Sequence, residues 1–312
     1  MCIIKYDYTI GDTIGGLNEE LAEFQHYDYI SGFRDGVAEV KLNEKWGFID
    51  IAGREICPCK YEDVGRFYEE MSRVFLNRKY GFINKAGKEV IPCKYDYARD
   101  FSEGLVAVKL NDKWGFIDKT NKGICSFKYD NVTYFSEGLA AVQLDRKWGF
   151  IDKTGREVIP CKYGLAYAFS GGFAQVELND KWGFIDKTGR ESIPLKYDCT
   201  WDFKDGFAIV KLNGKFGLIT LQGEEVIPLM FRDVVPESDL IIVLLGRQYG
   251  VINYSGEYIL PCIYDNIKIS NNIITASKSL IDYIFNENGE LLYIVKKSAT
   301  LDTEVLMKVS TL

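Results

Sequence analysis

The sequence predicts an all-β protein built from tandem 34-residue repeats, each folded as a three-stranded antiparallel meander. Three observations predict this class: an aromatic-glycine pair at a fixed interval, a stretch of alternating apolar residues, and a proline at one position of most repeats. A fixed period of this length is typical of repeat architectures. We expect the repeats to stack as an open superhelical array. The alternative is a closed ring resembling a β-propeller, whose blades usually have four strands and more residues.

The aromatic-glycine pair marks the repeats most clearly. Successive pairs lie 34 residues apart, except for a last interval of 33. A further 34 residues on, Tyr283 is followed by Ile284 instead of glycine, so the eighth repeat is degenerate. Eight repeats therefore occupy about residues 25–292. The seven clear pairs are Trp46-Gly47, Tyr80-Gly81, Trp114-Gly115, Trp148-Gly149, Trp182-Gly183, Phe216-Gly217 and Tyr249-Gly250.

The first strand of the unit is predicted by a period of two. In the fourth repeat, Ala140, Val142 and Leu144 alternate with more polar residues, and the first six repeats share this pattern. Such alternation indicates a strand with one buried face. It excludes the helical tetratricopeptide repeat, which has the same period of 34 residues.

The second strand, Lys-Trp-Gly-Phe-Ile-Asp, is apolar on both faces and is therefore predicted to be central. Asp-Lys-Thr-Gly then predicts a hairpin turn that closes a bulge, with a positive φ at the glycine. Asn121 replaces this glycine in one repeat and tolerates the same conformation. A third strand, Glu-Val-Ile-Pro, is expected to end at its proline. The variable stretch that follows fits either a fourth strand or a turn.

The pairing of the largest side chain with the smallest has a structural explanation. On one strand, Trp148 and Phe150 share a face, while Gly149 and Ile151 share the other. We expect the ring to pack on one layer and the glycine to admit another backbone or ring. Burial of such a ring contributes about 4–6 kcal/mol gross per repeat. A single sheet cannot cover it, so the seven pairs are assigned a structural role between repeats.

The repeat consensus is Tyr-Asp-x₄-Phe-x-x-Gly-Leu-Ala-x-Val-x-Leu-x-x-Lys-Trp-Gly-Phe-Ile-Asp-Lys-Thr-Gly. It resembles the bacterial WG repeat family over about residues 25–292. The resemblance implies a β-rich repeat array used for binding or scaffolding, and it implies no defined chemistry. The ends depart from the consensus. Residues 1–24 are predicted to form an N-terminal cap with a short helix at 17–24, and residues 293–312 a C-terminal cap or tail.

Composition narrows the possible partners. The net charge is −7 and no basic block occurs, which argues against nucleic acid. No apolar run approaches the length of a membrane span. The first residues lack the basic end and apolar stretch of a signal peptide, so we expect a cytoplasmic protein without a membrane anchor.

The sequence contains no recognisable catalytic constellation. His26 is the only histidine, and no nucleophile is placed near it. Neither a phosphate-binding loop nor a dinucleotide fingerprint is present. We therefore predict a non-enzymatic protein with no cofactor and no metal site. Four cysteines share a column with leucines, which indicates buried apolar thiols rather than metal ligands. They are Cys59, Cys93, Cys161 and Cys262.

Function on a repeat scaffold is expected where the repeats differ. The variable stretches carry five aromatic residues that are candidates for partner binding: Tyr29, Tyr97, Tyr134, Tyr167 and Trp201. Exposed rings suit hot spots for a protein partner. They would also stack on sugar rings, and the alternative is that they pack between repeats. We expect a scaffold that binds a protein or peptide; the alternative is a carbohydrate- or cell-envelope-binding module.

Overall fold

The computed structural model describes residues 26–296 and 304–308. All regular structure in this part of the chain is β-strand, arranged as successive antiparallel sheets. The predicted all-β array of tandem repeats is confirmed. The helix predicted at 17–24 lies outside the described residues. The chain forms two compact units, Met1–Ser170 and Gly171–Leu312.

From residue 26 onward, where the structure describes it, the first unit contains sixteen strands. They are β1 (Tyr29–Ile30), β2 (Val37–Leu42), β3 (Lys45–Asp50), β4 (Glu55–Tyr61), β5 (Asp63–Tyr68), β6 (Met71–Leu76), β7 (Lys79–Asn84), β8 (Glu89–Tyr95), β9 (Tyr97–Ala98), β10 (Leu105–Leu110), β11 (Lys113–Asp118), β12 (Asn131–Val132), β13 (Leu139–Leu144), β14 (Lys147–Asp152), β15 (Glu157–Tyr163) and β16 (Leu165–Ala166). Its sheets have the orders β1-β2-β3-β4, β5-β6-β7-β8, β9-β10-β11 and β12-β13-β14-β15.

The second unit contains the remaining strands. They are β17 (Phe173–Leu178), β18 (Lys181–Asp186), β19 (Glu191–Tyr197), β20 (Cys199–Thr200), β21 (Phe207–Leu212), β22 (Lys215–Thr220), β23 (Glu225–Phe231), β24 (Asp233–Glu237), β25 (Leu240–Leu245), β26 (Gln248–Asn253), β27 (Tyr258–Tyr264), β28 (Asn266–Ser270), β29 (Ile273–Lys278), β30 (Ile281–Asn286), β31 (Leu291–Lys296) and β32 (Glu304–Lys308). In the last sheet, β31 and β32 extend the order to β28-β29-β30-β31-β32.

Each sheet is a meander in which the aromatic-glycine strand is central. In the first repeat, β1, β2, β3 and β4 follow one another in space as they do in sequence. The variable stretch that the sequence left open supplies the first strand. That strand has only two residues in most repeats and five or six in β5, β24 and β28. The variable stretch therefore does form a strand, which comes first in the sheet and is short in most repeats.

The turn after the central strand is built by its aspartate. In the fourth repeat, Asp152 Oδ1 accepts hydrogen bonds from the backbone N–H groups of Thr154 and Arg156 at 2.9 and 3.1 Å. The hydrogen bond from the Thr154 hydroxyl, followed by these backbone bonds, lowers the pKa of Asp152 to about 2. Gly155 has a φ of 81°, and Asn121 takes its place in the third repeat with a φ of 67°. The predicted turn chemistry is confirmed.

The glycine of the aromatic-glycine pair faces a β-bulge. Trp46 pairs with Tyr61 and Phe48 pairs with Cys57, so two residues along β3 match four along β4. The extra residues bring the β4 backbone over Gly47. A Cβ on Gly47 would lie 2.5 Å from the Cys57 carbonyl oxygen, closer than real Cβ atoms approach. Only glycine fits beneath the bulge.

The proline lies inside this bulge and does not end the strand. Pro58 is in the middle of β4, which continues to Tyr61. The prediction that each proline ends its strand is therefore wrong. A bulged residue makes no ladder hydrogen bond, so the missing N–H of proline costs nothing there.

The third and eighth repeats show what happens when the bulge is lost. In the third repeat, Ser126 stands at the proline position, and the fourth strand is reduced to isolated bridges at Gly123 and Tyr129. The Phe127 ring fills the space instead, 3.0 Å from where a Cβ on Gly115 would lie. In the eighth repeat, Tyr283 pairs with Ala276 and Ile294, and the irregularity of the β30–β31 ladder lies further on, between Ile284 and Phe285.

The register of the eighth repeat also corrects the sequence comparison. Ala276 occupies the position at which Val243 faces Gly250 in the seventh repeat. Tyr283 thus takes the place of the glycine, and not Ile284 as the constant interval of 34 predicted. A side chain is tolerated at Tyr283 because β31 has no bulge opposite it.

Consecutive sheets pack face to face and share their cores. Phe48 and Tyr61 of the first repeat form one cluster with Val74 and Ile83 of the second. The second unit is built in the same way, with separate clusters across successive sheets. Because each repeat covers its neighbour, the large rings are buried between layers as a stacked array requires.

A segment that follows the first strand bonds the second repeat to the third and the third repeat to the fourth; in the third repeat its sequence is Phe-Ser-Glu-Gly. Glu103 Oε2 accepts the backbone N–H of Gly138 at 3.0 Å and pairs with Lys153 Nζ at 3.0 Å. Ser102 Oγ donates to the Phe135 carbonyl at 2.8 Å. Burial alone would raise the pKa of Glu103, but Lys153 and the Gly138 N–H outweigh it and lower the pKa. The preceding repeat uses Glu69, Gly104 and Lys119 in the same way.

We predict that Gly149→Ala destabilises the protein by about 3 kcal/mol. Its Cβ would lie 2.5 Å from the Ile159 carbonyl oxygen, where only backbone can move. Gly115→Ala is the matched control, because the Phe127 ring can shift, and should cost about 1 kcal/mol. The measurement is the urea midpoint of each variant. Equal losses for the two variants would contradict the role of the bulge.

We predict that Glu103→Gln destabilises the protein at pH 7 by up to about 1 kcal/mol, and that this loss shrinks as the pH falls below the ordinary pKa of glutamate. Because the pKa of Glu103 is lowered in the folded state, its contribution is present above the unfolded pKa. It is lost as the pH falls through the folded value. Glu157→Gln, at an exposed strand position, is the control. A loss that persists at low pH would rule out an electrostatic origin.

Candidate functional site

The candidate site lies at the end of the sheet that carries the hairpin turn between its second and third strands. There the first strand, the second strand and the aromatic residue form a row on one face. In the first repeat, Tyr29 pairs with Lys41, and Lys41 pairs with Trp46. The hairpin between β2 and β3 turns at Asn43 and Glu44, both with positive φ, as in a type I′ turn. The row therefore ends beside an exposed tight turn.

A concavity of about 390 Å³ opens at this row in the first repeat. We call it the Trp46 concavity; its lining residues are Asp28, Tyr29, Lys41, Glu44 and Trp46. The rings of Tyr29 and Trp46 meet edge to face with centroids 5.6 Å apart. Lys41 Nζ lies 5.3 Å from the Trp46 ring centroid, within range of a cation–π interaction.

A second concavity of about 480 Å³ lies in the third repeat. We call it the Trp114 concavity; its lining residues are Asp96, Tyr97, Arg99, Lys109, Asp112 and Trp114. Tyr97 and Trp114 again meet edge to face at 5.6 Å. The cation over the tryptophan is now Arg99, at 5.3 Å from the ring centroid.

The carboxylates of these concavities are held by the turns. Asp28 Oδ2 accepts the N–H of Asn43 at 2.7 Å, and Asp96 Oδ2 accepts that of Asn111 at 2.7 Å. Asp96 also pairs with Lys79 of the preceding repeat. The hydrogen bond from Lys79, followed by that from Asn111, lowers the pKa of Asp96. It is therefore an ionised acceptor at neutral pH.

The basic groups differ in how far they are satisfied. Lys109 Nζ pairs with Asp112 at 3.1 Å on the exposed turn. Arg99 lies over Trp114, and its buried Nε has no hydrogen-bond acceptor among the described residues. Tyr97 lies between two rings, with Tyr80 of the preceding repeat at 5.3 Å. The Trp114 concavity therefore combines an aromatic wall with groups that donate and groups that accept hydrogen bonds.

The structure places the predicted partner-binding residues in different settings. All five are exposed, with exposed fractions from 36% for Trp201 to 54% for Tyr134. Tyr29 and Tyr97 line the two concavities. Trp201 belongs to the second unit, where its ring lies 5.8 Å from that of Phe216. Tyr134 and Tyr167 line neither concavity. The five residues therefore do not form one site.

The lysine and arginine residues of the site were not predicted from the sequence. Lys41 and Lys109 occupy equivalent positions, and each pairs across the hairpin with the tryptophan of its repeat. This signal was available as a lysine five residues before the ring. Arg99 carried no such signal, because Ser31 occupies its position in the first repeat. The equivalent tryptophans were assigned a structural role only, although Trp46 and Trp114 also line the concavities.

The described residues do not include a cluster of three or more side chains suited to a metal ion. Their seven cysteines are free thiols. Cys59, Cys93 and Cys161 each point Sγ at a valine carbonyl of the same repeat, at 3.7 to 3.9 Å. Burial is the main cause that raises the pKa of Cys93 to about 11, so this thiol is protonated at neutral pH. Within the described ranges there is also no helix able to cross a membrane.

A family model described as "WG containing repeat" matches seven segments of the chain. The segments are 14–46, 46–80, 80–114, 114–148, 148–182, 182–216 and 249–278. Together they cover well over half of the sequence and begin or end at the aromatic positions described above. The seven tandem matches agree with the repeats seen in the structure. No curated protein matches the sequence.

Several solved structures are similar to the chain at low identity. A crystal structure of "the eukaryotic initiation factor" has 11% identity, covers 84% of this chain and 85% of its own, and has a TM-score of 0.46. Hsv2p of Kluyveromyces lactis has 11% identity, coverages of 88% and 95%, and a TM-score of 0.29. The N-terminal domain of Nup159 has 10% identity, coverages of 74% and 88%, and a TM-score of 0.33. Similarities at this level identify neither a ligand nor an activity of this chain.

Proposed function

Because the chain belongs to the WG repeat family, we propose that it is a non-enzymatic scaffold that binds a protein or peptide partner. The partner is engaged through aromatic side chains on the first strands and on the loops that follow them. The observation that carries this proposal is the exposure of Tyr29, Tyr97, Tyr134, Tyr167 and Trp201 on otherwise well-packed repeats. Rings presented to solvent by a rigid framework are typical of binding hot spots.

The framework supports this proposal because it can hold such rings without rearrangement. The stacked sheets bury apolar clusters between neighbouring repeats, and the rings of these clusters pack at close range. Phe116 and Phe135, for example, meet edge to face with centroids 4.9 Å apart. Little conformational entropy is then lost at the framework when a partner binds.

Trp201 is the strongest single candidate for an anchor in the second unit. It is the only tryptophan outside the aromatic-glycine column, and tryptophan is the residue most enriched at hot spots. Its backbone N–H is bonded to the Ile209 carbonyl at 2.9 Å, which fixes the position of the strand end. The side chain packs on Phe216 and remains exposed on its other side.

We predict that Trp201→Ala reduces capture of the native partner and lowers the free energy of unfolding by about 1 kcal/mol or less. Trp148→Ala should cost roughly 3–5 kcal/mol, because it empties a core position. The measurements are quantitative affinity capture from the native cell and chemical denaturation of each variant.

Tyr258→Ala is the control, because Tyr258 is an exposed ring of the second unit and lies on β27, away from the first strands. Capture should be unchanged by this substitution. Two results would count against the proposed anchor: equal stability losses for Trp201→Ala and Trp148→Ala, or equal capture by wild type and Trp201→Ala.

A further inference from the structure

The Trp46 and Trp114 concavities are built by equivalent positions two repeats apart. The acid, the tyrosine, the lysine, the turn acid and the tryptophan recur in the same order and in the same strand register. The second repeat lacks the set, with Asp63 at the tyrosine position and Phe75 at the lysine position. The fourth repeat has Asn131 and Gln143 there. Among the described repeats only the first and third combine a tyrosine and a lysine with the acid, the turn acid and the tryptophan, so these two positions distinguish the concavities from the repeat consensus.

Both concavities carry both signs of charge around an aromatic wall. Asp96 and Asp112 face Arg99 and Lys109 in the Trp114 concavity. Asp28 and Glu44 accompany Lys41 in the Trp46 concavity. A charged ligand group would be attracted by one member of each set and repelled by another. An uncharged ligand with many hydrogen-bonding groups meets no such conflict.

The ring faces also exclude a cationic ligand. Lys41 and Arg99 already lie 5.3 Å from the centroids of Trp46 and Trp114, so a cation from a partner would compete with them. The tyrosine rings stand exposed at 40% and 45% and remain available for apolar contact. Carboxylates accept hydrogen bonds, and ammonium and guanidinium groups donate them. Hydroxyl groups do both, and so match both kinds of neighbour.

We propose that the two concavities are saccharide subsites, each binding a neutral hexopyranose unit of a β-linked oligosaccharide. The flat C–H face of the sugar packs on Tyr29 or Tyr97. Its hydroxyls bond to the acid and the lysine that flank each tyrosine. Stacked sheets lie about 10 Å apart, so the two subsites are on the order of 20 Å apart and suit one extended chain. This inference goes beyond the protein-binding function and does not rest on it.

The first test compares binding of cellohexaose to the full chain and to two double variants. Wild type should bind with a dissociation constant in the micromolar to millimolar range, measured by calorimetry and by tryptophan fluorescence. Tyr29→Ala with Tyr97→Ala should weaken binding at least ten-fold. Tyr68→Ala with Tyr258→Ala, which removes two exposed rings outside the concavities, should leave it unchanged. Far-UV dichroism and the urea midpoint establish that each variant is folded.

The second test builds a third subsite in the fourth repeat. Asn131→Tyr, Gln143→Lys and Arg146→Asp place the missing side chains beside Trp148, where Asp130 is already present. The stoichiometry for cellobiose, which is too short to span two subsites, should rise from two to three. A stoichiometry that stays at two would show that these five positions do not define the subsite.

Three further results would overturn the proposal. The first is an absence of saccharide binding by wild type at millimolar concentration. The second is saccharide binding that survives removal of both tyrosines. The third is preferential binding of an oligo-lysine or oligo-glutamate peptide that is lost in the tyrosine double variant, which would assign the concavities to a charged peptide. None of these results depends on whether Trp201 anchors a protein partner.

Discussion

The fold depends on the absence of one Cβ atom opposite a bulged strand. The fourth strand of a repeat, which contains the proline, can form its bulge only if the central strand has a glycine opposite it. The neighbouring aromatic residue lies where the bulge ends, as Trp46 does in its pairing with Tyr61. The glycine and the aromatic residue of the central strand and the proline of the bulged strand therefore depend on one another sterically. The repeats that alter this arrangement do so in a coordinated way, with Phe127 or Tyr283 in the vacated space.

Much of this was predictable from the sequence because periodicity reports burial directly. The alternation in Ala140, Val142 and Leu144 identified a strand, and Asp152 with Gly155 identified its turn. The position of Pro58 was not predictable, because a proline can end a strand or lie in a bulge and only the cross-strand register distinguishes them. The displacement at Tyr283 was missed because a constant interval hides a one-residue deletion.

The candidate sites were predictable only in part. Variability among repeats singled out Tyr29 and Tyr97, and both line concavities. Their basic neighbours come from different positions: Lys41 from the second strand and Arg99 from the first. Lys41 and Arg99 reach the rings of Trp46 and Trp114 from different strands, so the two cation–ring pairs share no spacing in the sequence. The candidate binding residues of this array thus lie at exposed positions, while the periodicity of the sequence reflects the buried core.

The break in the third repeat has a consequence for how the first unit moves. Between Gly123 and Tyr129 the edge of that sheet is joined only by two isolated bridges, one at each end, and by the Ile124 N–H bond, where other repeats have a seven-residue strand. Local opening requires the loss of few bonds there, so its free-energy cost is lowest at this edge. Amide protons of this stretch would exchange with solvent ahead of those in neighbouring repeats. The edge of the β9-β10-β11 sheet, next to the Trp114 concavity, is therefore the part of the first unit where local opening is expected first.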